Sequence, residues 1–126
     1  MSLIGENLIR TVRRIAAANP DFVYEAQPDP VFPGGRLCRY VHNGEPSCLI
    51  GKALWELGLI NSVFETNAKN VSAFGQIYKG LGLALDHWEL DWLIEVQRAQ
   101  DFQTAWGRAV ESADVKVRDR KARIDG

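Results

Sequence analysis

Residues Arg36 to Gly58 read RLCRYVHNGEPSCLIGKALWELG, and the way this stretch turns decides the fold. Leu37 to Val41 alternates loosely and favours extended backbone. His42-Asn43-Gly44-Glu45 then supplies the Asn-Gly pair suited to a type I′ turn, in which both central residues take positive φ. Pro46 lacks the donor that a ladder needs, so the hairpin is expected to be short or to lie at a sheet edge. Ser47 is the expected N-cap of a helix from Cys48 to Leu57, with Gly58 as its stop. Ile50, Leu54, Leu57 and Trp55 are expected to pack inward. Gly51 lowers helix propensity by roughly 1 kcal/mol against alanine, a cost that suits the close approach of another element.

Upstream, Ile4, Leu8, Val12, Ile15 and Ala16 fall at helical spacing and predict a helix over 4–18. Asn19 tolerates a left-handed cap and Pro20 cannot continue the ladder. Arg10, Arg13 and Arg14 take the other side, read as a solvated face that suits the helix's negative end. From Asp21 to Gly35, Pro28, Pro30, Pro33 and Gly34-Gly35 exclude a helix. This loop is expected to be held by Phe22, Tyr24 and Phe32.

Downstream, residues 59–71 predict a short strand or an irregular crossing near Val63-Phe64. Ser72 to Gly80 predicts a short helix, broken by Gly82. Asp86-His87-Trp88-Glu89 has the form of a capping box. It opens an apolar stripe of Trp92, Val96, Ala99, Trp106, Ala109 and Ala113, widened by Leu93 and Phe102. A helix over 87–113 exceeds the usual globular length. Two readings follow: two helices broken near 99–103, or one helix whose stripe is partly covered by a second copy of the chain. The interaction residues on this reading are Trp88, Trp92, Glu95, Phe102 and Trp106.

The whole chain of 126 residues fits one domain, 1–126, with 1–3 and 115–126 expected as loosely ordered termini. Its net charge of −1 gives the molecule as a whole no electrostatic case for nucleic acid or an anionic membrane. No run approaches the ~18 apolar residues of a membrane span. Two cysteines are too few for a disulfide-built scaffold and fit a reducing compartment, so a cytoplasmic protein is expected.

Three constellations could carry chemistry. Cys38, His42, Cys48 and His87 have the composition of a zinc site, but C-x3-H-x5-C lacks the knuckle spacing that zinc sites use. Buried reduced cysteines are the expectation, with a bridge possible if the two face each other. Cys48 near a helix N-terminus, with His42 or His87 as base, would make a nucleophile, although no order signature supports it. Asp86, Glu89, Asp91 and Glu95 form an acidic patch that reads as a solvated face. Lys116, Arg118, Arg120, Lys121 and Arg123 make the tail basic. With Arg10, Arg13 and Arg14 they are the residues a nucleic-acid reading would use, though the aromatic interleaving of a single-strand binder is missing. No nucleotide, HExxH or calcium motif is present. No cofactor and no enzymatic activity are expected.

The pattern C-x-Y-x3-G-x-P-x-C-L-I-G-x-A-L, which starts at Cys38, resembles small uncharacterised proteins of actinobacteria and their phages. VQRAQDFQTAWGRAVESAD, from Val96 to Asp114, is similar to a later part of the same group. The resemblance covers about a third of the chain. It implies a compact accessory protein that binds a host or phage protein, and it supplies no catalytic residue. The combined expectation is a mainly helical α+β domain, with a short β-hairpin packed against three or four helices. It would act as an interaction module, self-associating as a homodimer through the tryptophan-bearing helix. Nucleic-acid association, and then a zinc or cysteine module, are the alternatives.

Overall fold

A computed structural model describes residues 2–29 and 31–125. Met1, Pro30 and Gly126, and with them parts of the expected loose termini and proline loop, lie outside the described residues. The Asn-Gly signal forms the turn it predicts: Asn43 and Gly44 take φ of 54° and 77°. They join β3 (Val41–His42) to β4 (Glu45–Pro46), antiparallel with Val41 opposite Pro46. The turn amides of Asn43 and Gly44 donate to Glu65 at 2.8 and 2.9 Å, and these two bonds hold its carboxyl below the ordinary range.

The helix after the turn, α2 (Leu49–Glu56), starts one residue later than expected, with Cys48 as its N-cap. Ser47 is already committed to the hairpin. Its amide donates to the Tyr40 carbonyl (2.9 Å), and its hydroxyl pairs with that of Tyr24 (3.2 Å). The Cys48 Sγ therefore accepts the Gly51 amide instead, at 3.4 Å. Gly51 is the close approach its position suggests. A Cβ there would overlap the Tyr40 carbonyl and lie 2.8 Å from the Tyr40 Cα, so only glycine lets α2 rest on the hairpin backbone. Gly58 ends the helix at φ 72°.

The proline-rich loop contains a second hairpin that composition hid. Its strands are β1 (Gln27–Pro28) and β2 (Arg36–Leu37), paired antiparallel. Only Tyr24 of the three expected anchors is buried. Phe32 points into solvent, and half-exposed Phe22 leans on the Trp106 ring at 4.5 Å. No strand forms near Val63. Residues Ser62–Thr66 and Ala68–Val71 are 3-10 turns capped by the side chains of Asn61 and Asn67. Extended pairing with the hairpin comes instead from one side chain. Buried Asn70 accepts the Val41 amide and donates to the Val41 carbonyl, both at 2.9 Å, as a neighbouring strand would.

The remaining helices are α1 (Leu3–Ala18), α3 (Phe74–Ile77), α4 (His87–Asp101) and α5 (Trp106–Asp125). The Asp86–Glu89 capping box is present in both directions. The long stripe breaks at 102–105, where Gln103 takes φ 65°, and α5 runs back along α4. A single helix covered by a second copy is thereby ruled out: the stripe closes on itself. Trp92, Leu93, Val96, Trp106, Ala109 and Ala113 join Leu8, Val12 and Ala16 of α1 and Leu49, Ile50, Ala53 and Leu54 of α2 in one core. Each buried leucine, isoleucine or valine among them contributes roughly 1.5–3 kcal/mol.

Ser2 caps α1 through the Gly5 amide (3.0 Å) and binds the Glu89 carboxylate through its own amide and hydroxyl, while α5 stays helical to Asp125. Within α5, Val117 is buried, and Lys116 and Arg120 meet Glu95 of α4. Asn19 does not take a left-handed cap. Its φ is −140° and its side-chain amide donates to the Ile15 carbonyl. The chain is thus a small, mainly helical α+β domain, with five α-helices and two short hairpins among the described residues.

Candidate functional site

The cysteine-histidine constellation dissolves in three dimensions. Cys38 and Cys48 are both buried and joined as a disulfide, with Cα atoms 6.2 Å apart. Burial is as expected, but the reduced state is not. The turn at 43–44 brings the two backbones within the span a disulfide bridges, and the Cys48 amide donates to the Arg39 carbonyl beside it. His42 is exposed, and His87 sits at the start of α4 with its ring against Trp88. Among the described residues no His, Cys, Asp or Glu cluster could hold a metal. With both sulfurs bonded to each other, Cys48 has no thiolate to act as nucleophile.

Around the bridge lies a polar interior that the sequence did not announce. Tyr40 is fully buried. Its hydroxyl donates to the Ser72 carbonyl at 2.8 Å and accepts from the Gln97 amide at 2.7 Å. The Gln97 carbonyl accepts the Phe74 amide, and Gln100 accepts the Leu49 amide, both at 2.8 Å. Burial then raises the Tyr40 phenol well above its ordinary value. Next to Gln100, burial pushes Asp101 up to about 7, even though the Gln100 amide donates to it. These groups fasten the hairpin and α2 to α4. None lies in an open cleft, so they read as structure.

The interaction residues expected on the long helix split apart. Trp106 and Glu95 are each 2% exposed and Trp92 is buried, so the three offer little surface to another protein. Trp88 is half-buried, and Phe102, at the break, is 71% exposed. The acidic patch is likewise not a solvated face. Glu89 is buried among Ser2 and Asp86 donors. Burial would raise Glu95, but Arg120, Lys116 and Arg98 hold it below the ordinary range.

The basic residues are largely spent on these acids. Arg13 grips Asp114 at 2.6 and 2.9 Å and lies 4.8 Å over the Trp92 ring. Asp114 is lowered first by Arg13, and it also accepts the Trp92 indole N–H at 2.8 Å. Arg14 pairs with Glu56, and Arg10 donates to Asn7. Arg120 binds Asp91 and Glu95, Lys116 binds Glu95, Lys121 lies 5.5 Å over Trp88, and Arg118 reaches Asp119 at 3.9 Å. Arg123 is exposed near the end of α5.

The loop expected to be anchored by Phe32 forms instead the tip of the β1–β2 hairpin, with Phe32 turned outward. Asp29 Oδ1 accepts the Val31 and Phe32 amides at 2.8 and 3.3 Å, an Asx-type turn. The Asp29 amide donates to the Gly35 carbonyl (2.9 Å) and the Gly35 amide to the Phe32 carbonyl (3.0 Å). Gly34 supplies the positive φ of 80° that closes the loop. A tip fixed by its own hydrogen bonds holds Val31 and Phe32 out at 72% and 69% exposure. The Asp-Pro-Val-Phe-Pro-Gly run was the available signal: turn formers bracketing two large apolar residues.

No protein-family model, curated protein or solved structure matches this chain. Among the described residues no helix is long and apolar enough to cross a membrane.

Proposed function

We propose that this chain is a non-enzymatic accessory protein that binds another protein through the β1–β2 tip. The observation that carries the reading is the ordered exposure of Val31 and Phe32. Apolar side chains at a loop tip gain nothing from water, and an aromatic anchor already held in place loses little entropy on docking. The resemblance to phage and actinobacterial accessory proteins supports a host or phage protein as the partner. Self-association of the kind first expected keeps only Trp88 and Phe102 of its five residues on the surface, so a distinct partner is favoured over a homodimer. Nucleic-acid association is disfavoured by the engagement of Arg13, Arg14, Lys116 and Arg120 with the chain's own acids.

The test is a photo-crosslinking amino acid at position 32, with Glu111 as an exposed control position, in native cells. A discrete crosslinked band at 32 but not at 111, lost in V31D, supports the reading. Equal labelling at both positions, or none at 32, overturns it, and a band at twice the chain's mass names a second copy as the partner. A cytoplasmic location belongs to the same reading. The Cys38–Cys48 bridge opposes it, since cytosolic pools keep thiols reduced. Alkylation of the two cysteines in freshly lysed cells decides the point.

A further inference from the structure

Between α1 and the α4–α5 pair runs a groove of about 380 Å³, within the range of small-ligand sites. Its walls are Ile9, Trp88, Trp92 and Val117, and its charged lining includes Arg118 and Lys121. We propose that this groove binds a small molecule with a planar aromatic body and one carboxylate or similar anionic group, stacked beside Trp88 with the anion toward Arg118 and Lys121.

The choice of charge follows from how the lining is already used. Three acids border the groove. Glu89 accepts the Ser2 amide, the Ser2 hydroxyl and the Asp86 amide; Asp114 accepts Arg13 and the Trp92 indole; Asp86 caps α4 through the Glu89 amide. Their acceptor capacity is turned to donors of the chain itself. The ring faces that a cationic ligand would seek are occupied as well, by Arg13 over Trp92 and Lys121 over Trp88. Among the cations, Arg13 is held bidentately, whereas Arg118 is 73% exposed, meets Asp119 at 3.9 Å and acts on Asp114 through its charge without a hydrogen bond to it. Lys121 rests on the Trp88 indole, on the same face of α5 three residues on. An anion between them gains two charged donors and competes only with the long, exposed Arg118–Asp119 pair, and its apolar body covers the exposed part of Trp88.

The test uses naphthalene-2-carboxylate, its neutral carboxamide and naphthylmethylammonium. Each is titrated to about 2 mM, above the dissociation constant expected for a ligand of this size, and followed by the tryptophan indole N–H signals. The carboxylate is expected to shift Trp88 and Trp92 while leaving Trp55 and Trp106 in place. It should bind at least fivefold tighter than the carboxamide, and the ammonium should bind weakest. R118Q/K121Q changes side chains on the surface of α5 and should keep the native circular dichroism spectrum while losing at least fivefold in carboxylate affinity. No shift by the carboxylate, shifts confined to Trp55 or Trp106, equal affinity of the three compounds, tighter binding of the ammonium, or an unchanged affinity in R118Q/K121Q would each overturn the proposal.

Discussion

The half of the molecule around the Cys38–Cys48 bridge and the half made of α1, α4 and α5 are held together by different physics. In the first, backbone groups meet buried side chains: Asn70 on Val41, Gln100 on Leu49, Gln97 on Phe74, Tyr40 on Ser72. In the second, an apolar stripe closes on itself and charges pair around its rim, with Asp114 joining all three helices through Arg13 and Trp92. Fixed-partner contacts tolerate no change of shape. A stripe with rim charges tolerates more and answers to salt and pH.

Four measurements press on that contrast. The largest effect is expected from G51A. Its methyl meets backbone, which cannot swing aside as a side chain can, so unfolding stability should fall by more than about 3 kcal/mol in urea titration. A loss under 1 kcal/mol would mean that α2 is free to lift off the hairpin. C38S/C48S, or reduction of the wild type, removes a cross-link spanning a sequence separation of 10 and should cost about 2–3 kcal/mol. Hydrogen exchange in that variant should speed up around 38–54 and change little in α5.

D114A should cost about 1–2 kcal/mol. Most of this comes from the buried Trp92 indole left without an acceptor, because the Arg13 pair is nearly half exposed and worth little by itself. Raising salt from about 0.05 to 0.5 M should narrow the gap between D114A and wild type, and should leave the gap for C38S/C48S unchanged. The smallest effect concerns pH. Asp101 is raised to about 7 in the fold from an ordinary value of 3.8, so between those values the native state holds a proton that the unfolded chain has released. Stability therefore falls as pH rises through this window. D101N should flatten that fall and be more stable than wild type at pH 8, by on the order of 1 kcal/mol. The lowered Asp114 and Glu95 act oppositely, and their contribution is lost as pH falls through the acid range.

The stripe-built half was the more legible in sequence. The 3.6-residue spacing of Leu8, Val12 and Ala16, and of Trp92, Val96 and Ala113, names its own face, and the Asp86–Glu89 box marks its own helix start. The break at 102–105 showed only as excess length, since Gln103 gives no hint of a left-handed residue. The other half was legible where the signal is local, as in Asn43-Gly44 and Gly58. It was illegible where partners are far apart: nothing near Asn70 says that its amide will stand in for a strand, and nothing near Tyr40 says that Gln97 waits for it. The candidate tip at Val31-Phe32 hid for a related reason. Turn formers announce a loop but do not say which of its apolar residues will face water.

The break at 102–105 also bears on the order of assembly. It lets α4 and α5 meet after closing a very short loop, so their pairing carries little chain entropy and can form early. Tyr40 with Gln97 and Leu49 with Gln100 close far longer loops and come late. A transition state with α4–α5 formed and the hairpins loose would then divide mutations cleanly. Changes on the α4–α5 seam should slow folding, and changes at Asn70 or Tyr40 should mainly hasten unfolding.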